Sequence, residues 1–161
     1  MSPGAADPAG TYRAIENLIA AYAELVDAGD FAGLGALLAE ATFTGGGGAI
    51  SGQDAIEKMF RDMVIVYDDG TPRTKHVTTN IAIEVDEDTG TAVSRSYFTV
   101  LQAPPGLPLQ TIAAGRYRDR FERSAGQWRF ADRQVRVDLT GDVSHHLRRS
   151  DGADRPGREL E

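Results

Sequence analysis

Apolar residues recur at helical spacing in three stretches before position 65, and after that the pattern changes to strands. Ile15, Leu18, Ile19, Tyr22 and Val26 form one stripe with Glu16 and Glu24 off it, which predicts an amphipathic helix over 11–28 capped by Thr11. Gly29 ends that helix, and Asp30 caps a second one carrying Phe31, Leu34, Leu37 and Leu38. Residues 41–44 read as a short strand, and the run from Gly45 to Gly48 as a turn before Ala49 and Ile50. A third helix, opened by Ser51 or Gln53, places Ile56, Met59, Phe60, Met63 and Val64 on one face and stops before Asp68, Asp69 and Gly70.

From there the chain is rich in β-branched and aromatic residues. Strands are predicted at 75–85, 91–102, 110–123 and 127–139, joined by turns at Asp88-Thr89-Gly90, Pro104-Pro105-Gly106 and Ser124-Ala125-Gly126. Four long strands on short connections make an antiparallel meander, and helices segregated earlier in the chain make the class α+β. Residues 1–10, with two prolines and two glycines, are expected to form a disordered leader. Residues 11–141 form one domain, and the charged stretch 142–161 is expected to be a flexible tail.

Composition narrows the chemistry. A chain of 161 residues supports one core and therefore one main site. No apolar run approaches the roughly 18–20 residues of a membrane span, and the first ten residues lack the basic start and apolar stretch of a secretory signal, so a cytoplasmic protein is expected. The absence of cysteine removes disulfides, thiolate metal sites and cysteine nucleophiles together. A net charge of -7 argues against nucleic acid and anionic membranes as partners. The glycines at 45–48 are not followed by Lys-Ser or Lys-Thr, so they do not make a phosphate loop, and no Gly-x-Ser-x-Gly elbow is present.

Of three histidines, His145 and His146 fall in the expected tail, which leaves His76 at the start of the first long strand. Alternation puts His76, Thr78 and Asn80 on one face, although a bulge would change that assignment. A strand histidine is often structural or exposed. Asp27 changes the reading, because it follows Leu25 and Val26 on the first helix and a buried carboxylate needs a partner. With the helix end over the sheet, Asp27 accepts the Nδ1 proton of His76 and leaves Nε2 as a base. One histidine and one carboxylate fall short of the three protein ligands usual for a metal, so no metal and no cofactor are expected. Tyr22, Tyr97 and Tyr117 are candidate hydroxyl donors to a substrate, with Asn80 as a further contact. Tyr117 is preferred, because Thr111, Ala113 and Gly115 in register with it leave room above the sheet, while Arg116, Arg118 and Arg120 face the other side.

The order of elements carries a resemblance across residues 11–139. Leu25-Val26-Asp27-Ala28-Gly29-Asp30-Phe31, the glycine-rich turn, Gly52-Gln53-Asp54-Ala55-Ile56 and Lys75-His76-Val77-Thr78-Thr79-Asn80 are followed by the strand Gly115 to Arg123 and by Gly126-Gln127-Trp128-Arg129-Phe130. The chain thereby resembles the SnoaL-like branch of the nuclear-transport-factor-2-like superfamily. The resemblance implies a cone-shaped α+β barrel, with three N-terminal helices packed on a curved, mainly antiparallel mixed sheet that encloses one pocket.

It also implies a catalytic pair. Scytalone dehydratase and hexachlorocyclohexane dehydrochlorinase use an Asp-His pair at positions matched by Asp27 and His76. The chain has no further histidine between His76 and His145, unlike the dehydratase, and Tyr22 falls where the dehydrochlorinase has a lysine. The expected activity is a cofactor-independent lyase or isomerase acting on a small hydrophobic, cyclic or polyketide-like molecule. The β subunits of ring-hydroxylating dioxygenases share the fold without catalysis, so the alternative is a ligand-binding or assembly domain. A homo-oligomer, dimer or trimer, is expected on either reading.

Overall fold

Proline fixes its own φ and lacks an N–H, which suits the first turn of a helix. In the computed structural model, which describes residues 7–149, α1 accordingly runs Pro8–Asp27, with the Asp7 side chain accepting from Gly10 N at 3.1 Å. The expected leader is corrected here for residues 8–10, and the expected Thr11 cap with it. Pro8 and Gly10 read as breakers, but in a first turn they are tolerated. Thr11 is buried inside the helix, and its hydroxyl donates to Glu87.

α2 (Phe31–Leu37) is capped as expected, with Asp30 accepting from Gly33 N at 2.8 Å. The chain continues through β1 (Thr42–Gly45) and β2 (Gly48–Ser51) into α3 (Gln53–Met63). Gln53, one of the two expected starts, opens α3; the cap position is Gly52, at φ 99°, with no side-chain bond. Four long strands follow: β3 (Thr74–Asp86), β4 (Thr91–Gln102), β5 (Gln110–Ser124) and β6 (Gln127–Thr140).

The sheet order is β2-β1-β6-β5-β4-β3, antiparallel except where β1 runs parallel to β6. It is a mixed, open sheet carrying three helices, an α+β cone that does not close into a barrel. Register shifts at Thr79/Ala82, Val100/Leu101, Ala114/Gly115 and Arg120/Phe121 mark bulges, which bend strands and add twist.

Alternation is strict along β4, where Ala92, Ser94, Ser96, Phe98, Val100 and Gln102 are buried under the helices. Ile15, Ile19 and Val26 of α1, Leu34 of α2 and Ile56 and Phe60 of α3 meet that face in one core. Aromatics take up the space that the sequence assigns to a pocket. A bulge at Ile112 of β5 turns that residue inward instead of Thr111 and Ala113, while Gly115 and Tyr117 face the core. Phe98 then lies over Gly115, so close that a Cβ there would meet the Phe98 ring at 2.7 Å. Two cavities, of about 420 and 440 Å³, lie on the opposite face of the sheet beside Arg95, Arg118 and Arg120 and beside Tyr97, Arg116 and Asp138.

After β6 the chain turns back over the open end of the cone. Val143 and Leu147 pack on the core, Leu147 bridges Val64, and Ile65 N donates to His146 O at 2.8 Å. The expected flexible tail is therefore corrected for residues 142–149, whose charged surroundings mask a one-turn apolar pair. Residues 1–6 and 150–161 of the expected leader and tail lie outside the described residues.

Candidate active site

Asp27 is the last residue of α1, and Gly29 lets the chain turn immediately behind it at φ 70°. This sets the carboxylate against the first residues of β3. Asp27 Oδ1 accepts from the Thr74 hydroxyl at 2.8 Å and from His76 Nδ1 at 2.6 Å, and Oδ2 accepts from the His76 backbone N–H at 2.8 Å. Both side chains are enclosed, with 9% of Asp27 and 10% of His76 exposed. Burial works against the carboxylate charge, but the bonds from His76 and Thr74 and the charge of His76 outweigh it, so the Asp27 pKa lies below the usual value. A carboxylate kept ionised has no proton to give, so the proton of this contact sits on His76 Nδ1, and in the neutral form of the ring Nε2 carries the lone pair. Nε2 makes no hydrogen bond among the described residues.

Tyr22 and Tyr117 reach the interior, where their rings meet edge to face at 5.8 Å. Burial pushes the Tyr22 hydroxyl up to about 12 and the Tyr117 hydroxyl well above its ordinary value, so both remain protonated donors. Tyr97 and Asn80 do not join them, which corrects both expectations. Tyr97 takes the outward alternate position between Ser96 and Phe98 and is 53% exposed. Asn80 sits in the β3 bulge at φ 55°, a conformation asparagine tolerates, and faces solvent. That bulge moves the inner face from His76 and Thr78 to Ile83 and Val85.

Sequence reasoning missed two groups. Arg133 is wholly buried and grips Asp119 at 2.9 and 3.1 Å, while its guanidinium lies 4.1 Å from the Tyr22 ring centroid and 3.8 Å from that of Tyr117. The signal was available, because Asp119 shares inward parity with Tyr117 and Phe121 and a buried carboxylate requires a cation. The second group is His146, 8% exposed, with its ring centroid 6.3 Å from that of His76. The spacing of Val143 and Leu147 was its only signal. Among the described residues no group of three or more His, Cys, Asp or Glu is placed to hold a metal, and no helix is long and apolar enough to cross a membrane.

Comparison with solved structures gives the same architecture repeatedly. Rv3472 of Mycobacterium tuberculosis, a protein of unknown function, is 28% identical, with a TM-score of 0.67 over 83% of this chain and 80% of its own. A protein provisionally named a scytalone dehydratase, from Novosphingobium aromaticivorans, is 23% identical, with a TM-score of 0.66 over 94% of this chain and 97% of its own. From the same organism, the β subunit of a provisionally assigned aromatic-ring-hydroxylating dioxygenase is 16% identical, with a TM-score of 0.66 over 87% and 98%. No curated protein matches the sequence. The last two likenesses speak for the fold alone, but residues 8–134, from the first turn of α1 into β6, match the profile of the SnoaL-like domain, and the chain belongs to that family.

Proposed function

We propose that the protein is a cofactor-independent lyase or isomerase in which His76 removes a proton next to a carbonyl or leaving group. The observation that carries the reading is the 2.6 Å contact of His76 Nδ1 with Asp27, which fixes the ring and leaves Nε2 unpaired. Asp27 stabilises the imidazolium that forms, and the Tyr22 and Tyr117 hydroxyls are donors toward developing negative charge. With Tyr22, Phe98 and Tyr117 in the interior, the substrate would be small and largely apolar. Membership of the SnoaL-like family supports this class of chemistry. On this reading the protein works in the cytoplasm as a homo-oligomer built through the outer sheet face, where Val77, Tyr97 and Leu139 are exposed.

The test is a generic carbon acid. Nitrobenzisoxazole opens to a coloured phenolate when a base takes its ring proton. A positioned base contributes roughly 10² to 10⁴ in rate, so His76→Ala is expected to lose that much. An alanine variant as fast as the wild-type protein would end the proposal.

One observation favours the second reading, a binding or assembly domain. Phe98, Tyr22 and Tyr117 occupy the interior, and neither of the two described cavities touches Asp27 or His76. A wild-type protein that binds small phenols without accelerating the elimination would support it.

A further inference from the structure

The segment 142–149 does more than cover the open end of the cone. His145 O accepts from the Tyr67 hydroxyl at 2.5 Å and from Gln102 Nε2 at 3.0 Å, and His146 O accepts from Ile65 N. Two consecutive carbonyls are thus pinned from α3's exit loop and from β4, which fixes the placement of the His146 ring. That ring stands across from His76 at an interplanar angle of 61°. Its Nδ1 is buried and has no hydrogen-bond partner. A buried, unpaired ring nitrogen is a cost that a folded protein normally avoids, and an oxygen supplied by a ligand would remove it.

We propose that His146 is a second catalytic residue of this site, a neutral imidazole whose N–H holds the oxygen on which charge collects while His76 takes the proton. The inference rests on the reading of His76 as the base. In the step, a C–H bond beside a carbonyl breaks and its proton goes to His76 Nε2. The electron pair moves into the adjacent C=O, and the resulting enolate oxygen accepts the His146 N–H. Return of the proton from His76 to another carbon completes an isomerisation. Departure of a β-substituent with its bonding pair, taking up the His76 proton if it leaves as hydroxide, completes an elimination. A carbon acid and its carbonyl oxygen are two bonds apart, so a substrate whose C–H meets His76 carries its oxygen within a few ångströms of that ring, and the His146 centroid lies 6.3 Å away. Burial holds His146 neutral, with its pKa pushed down to about 4, and a neutral imidazole is a competent donor to an oxyanion.

The test uses the full chain with ring-nitrogen-labelled histidine, titrated with para-nitrophenolate as an oxyanion probe near pH 8. The His146 and His76 ring signals are expected to shift together. His146→Phe is expected to weaken binding about ten-fold or more, the factor for one hydrogen bond to a charged group. His146→Gln, which keeps an N–H donor, is expected to recover binding to within about three-fold of the wild-type protein. Melting curves of both variants report whether they fold, and the glutamine variant keeps the test decisive if the phenylalanine variant does not. Equal binding by wild type and His146→Phe, or His146 signals that do not move, overturns the inference. The readout separates the two ideas: loss of His76-dependent elimination with phenolate binding intact defeats the base, whereas the reverse pattern defeats only the role of His146.

Discussion

Asp27 holds His76 twice, accepting the backbone N–H on Oδ2 and the ring Nδ1–H on Oδ1. One carboxylate therefore fixes both the start of β3 and the rotamer of the ring that stands on it. Asp27→Ala strips acceptors from enclosed donors, and hydrogen bonds to charged groups contribute about 1.5–3 kcal/mol each, so a loss of about 2–4 kcal/mol is expected in urea unfolding. Asp27→Asn keeps one carbonyl acceptor and loses less. The carboxylate's folded pKa lies below its unfolded value of 3.8, so its contribution is complete above that value and disappears as pH falls through the folded one. An alanine variant matching the wild type at neutral pH would show that the anchor carries no stability.

Arg133 and Asp119 form a pair with no exposed side-chain surface on either member. Removing the cation alone leaves a buried charge without a partner, and Arg133→Leu is expected to cost about 3–5 kcal/mol. Replacing both residues by leucine is expected to cost less than the single change, because no orphan charge remains. A double-mutant cycle measures this directly, and a coupling energy near zero would mean that the stacking of Arg133 on Tyr22 and Tyr117 is what matters.

Gly29 closes α1 two residues beyond Asp27, and its positive φ is not its only constraint. A Cβ there would fall on the Gly70 carbonyl oxygen, which is backbone and has no side chain to swing aside. Gly29→Ala is expected to destabilise by about 2–3 kcal/mol and to displace the His76 ring signals. Gly46→Ala, in the turn between β1 and β2 with nothing within 4 Å, should stay within about 0.5 kcal/mol of the wild type. Similar effects at the two positions would refute the steric account.

Most of the architecture was legible because helix and strand periods are local. The stripe Ile15, Ile19, Tyr22, Val26 and the long strand over 91–102 appear in the structure as read from the sequence. Asp27 and His76 meet as their neighbours predict, since a carboxylate at a helix end over a sheet has few other partners. What failed depended on bulges and on sparse signals. A single register shift at Thr79/Ala82 removes Asn80 from the inner face, and the bulge at Ile112 takes Thr111 and Ala113 off it, leaving Phe98 over Gly115. Tyr97 was within reach of alternation, because Ser96 and Phe98 on either side of it face inward. His146 was hidden for a different reason. Its burial depends on Tyr67, Gln102 and Ile65, all distant in sequence, and its own segment is polar enough to read as tail.

His146 also gives the fold a pH dependence that is separable from that of Asp27. Burial first, and then the charge of nearby His76, push its pKa from 6.5 to about 4, against a smaller opposing pull from Asp27. Between those values the unfolded chain binds a proton at this position and the folded chain does not. Stability therefore rises with pH across the window and falls as pH drops from 6.5 toward 4, at up to about 1.4 kcal/mol per unit and about 3 kcal/mol in all. His146→Phe removes the titration. Its urea midpoint is expected to change less than that of the wild type over this window, with the acid sensitivity that remains belonging to Asp27 and to the other carboxylates held below their ordinary values. Parallel curves for the two proteins would mean that His146 charges readily in the folded state, and the neutral imidazole facing His76 would have to be given up.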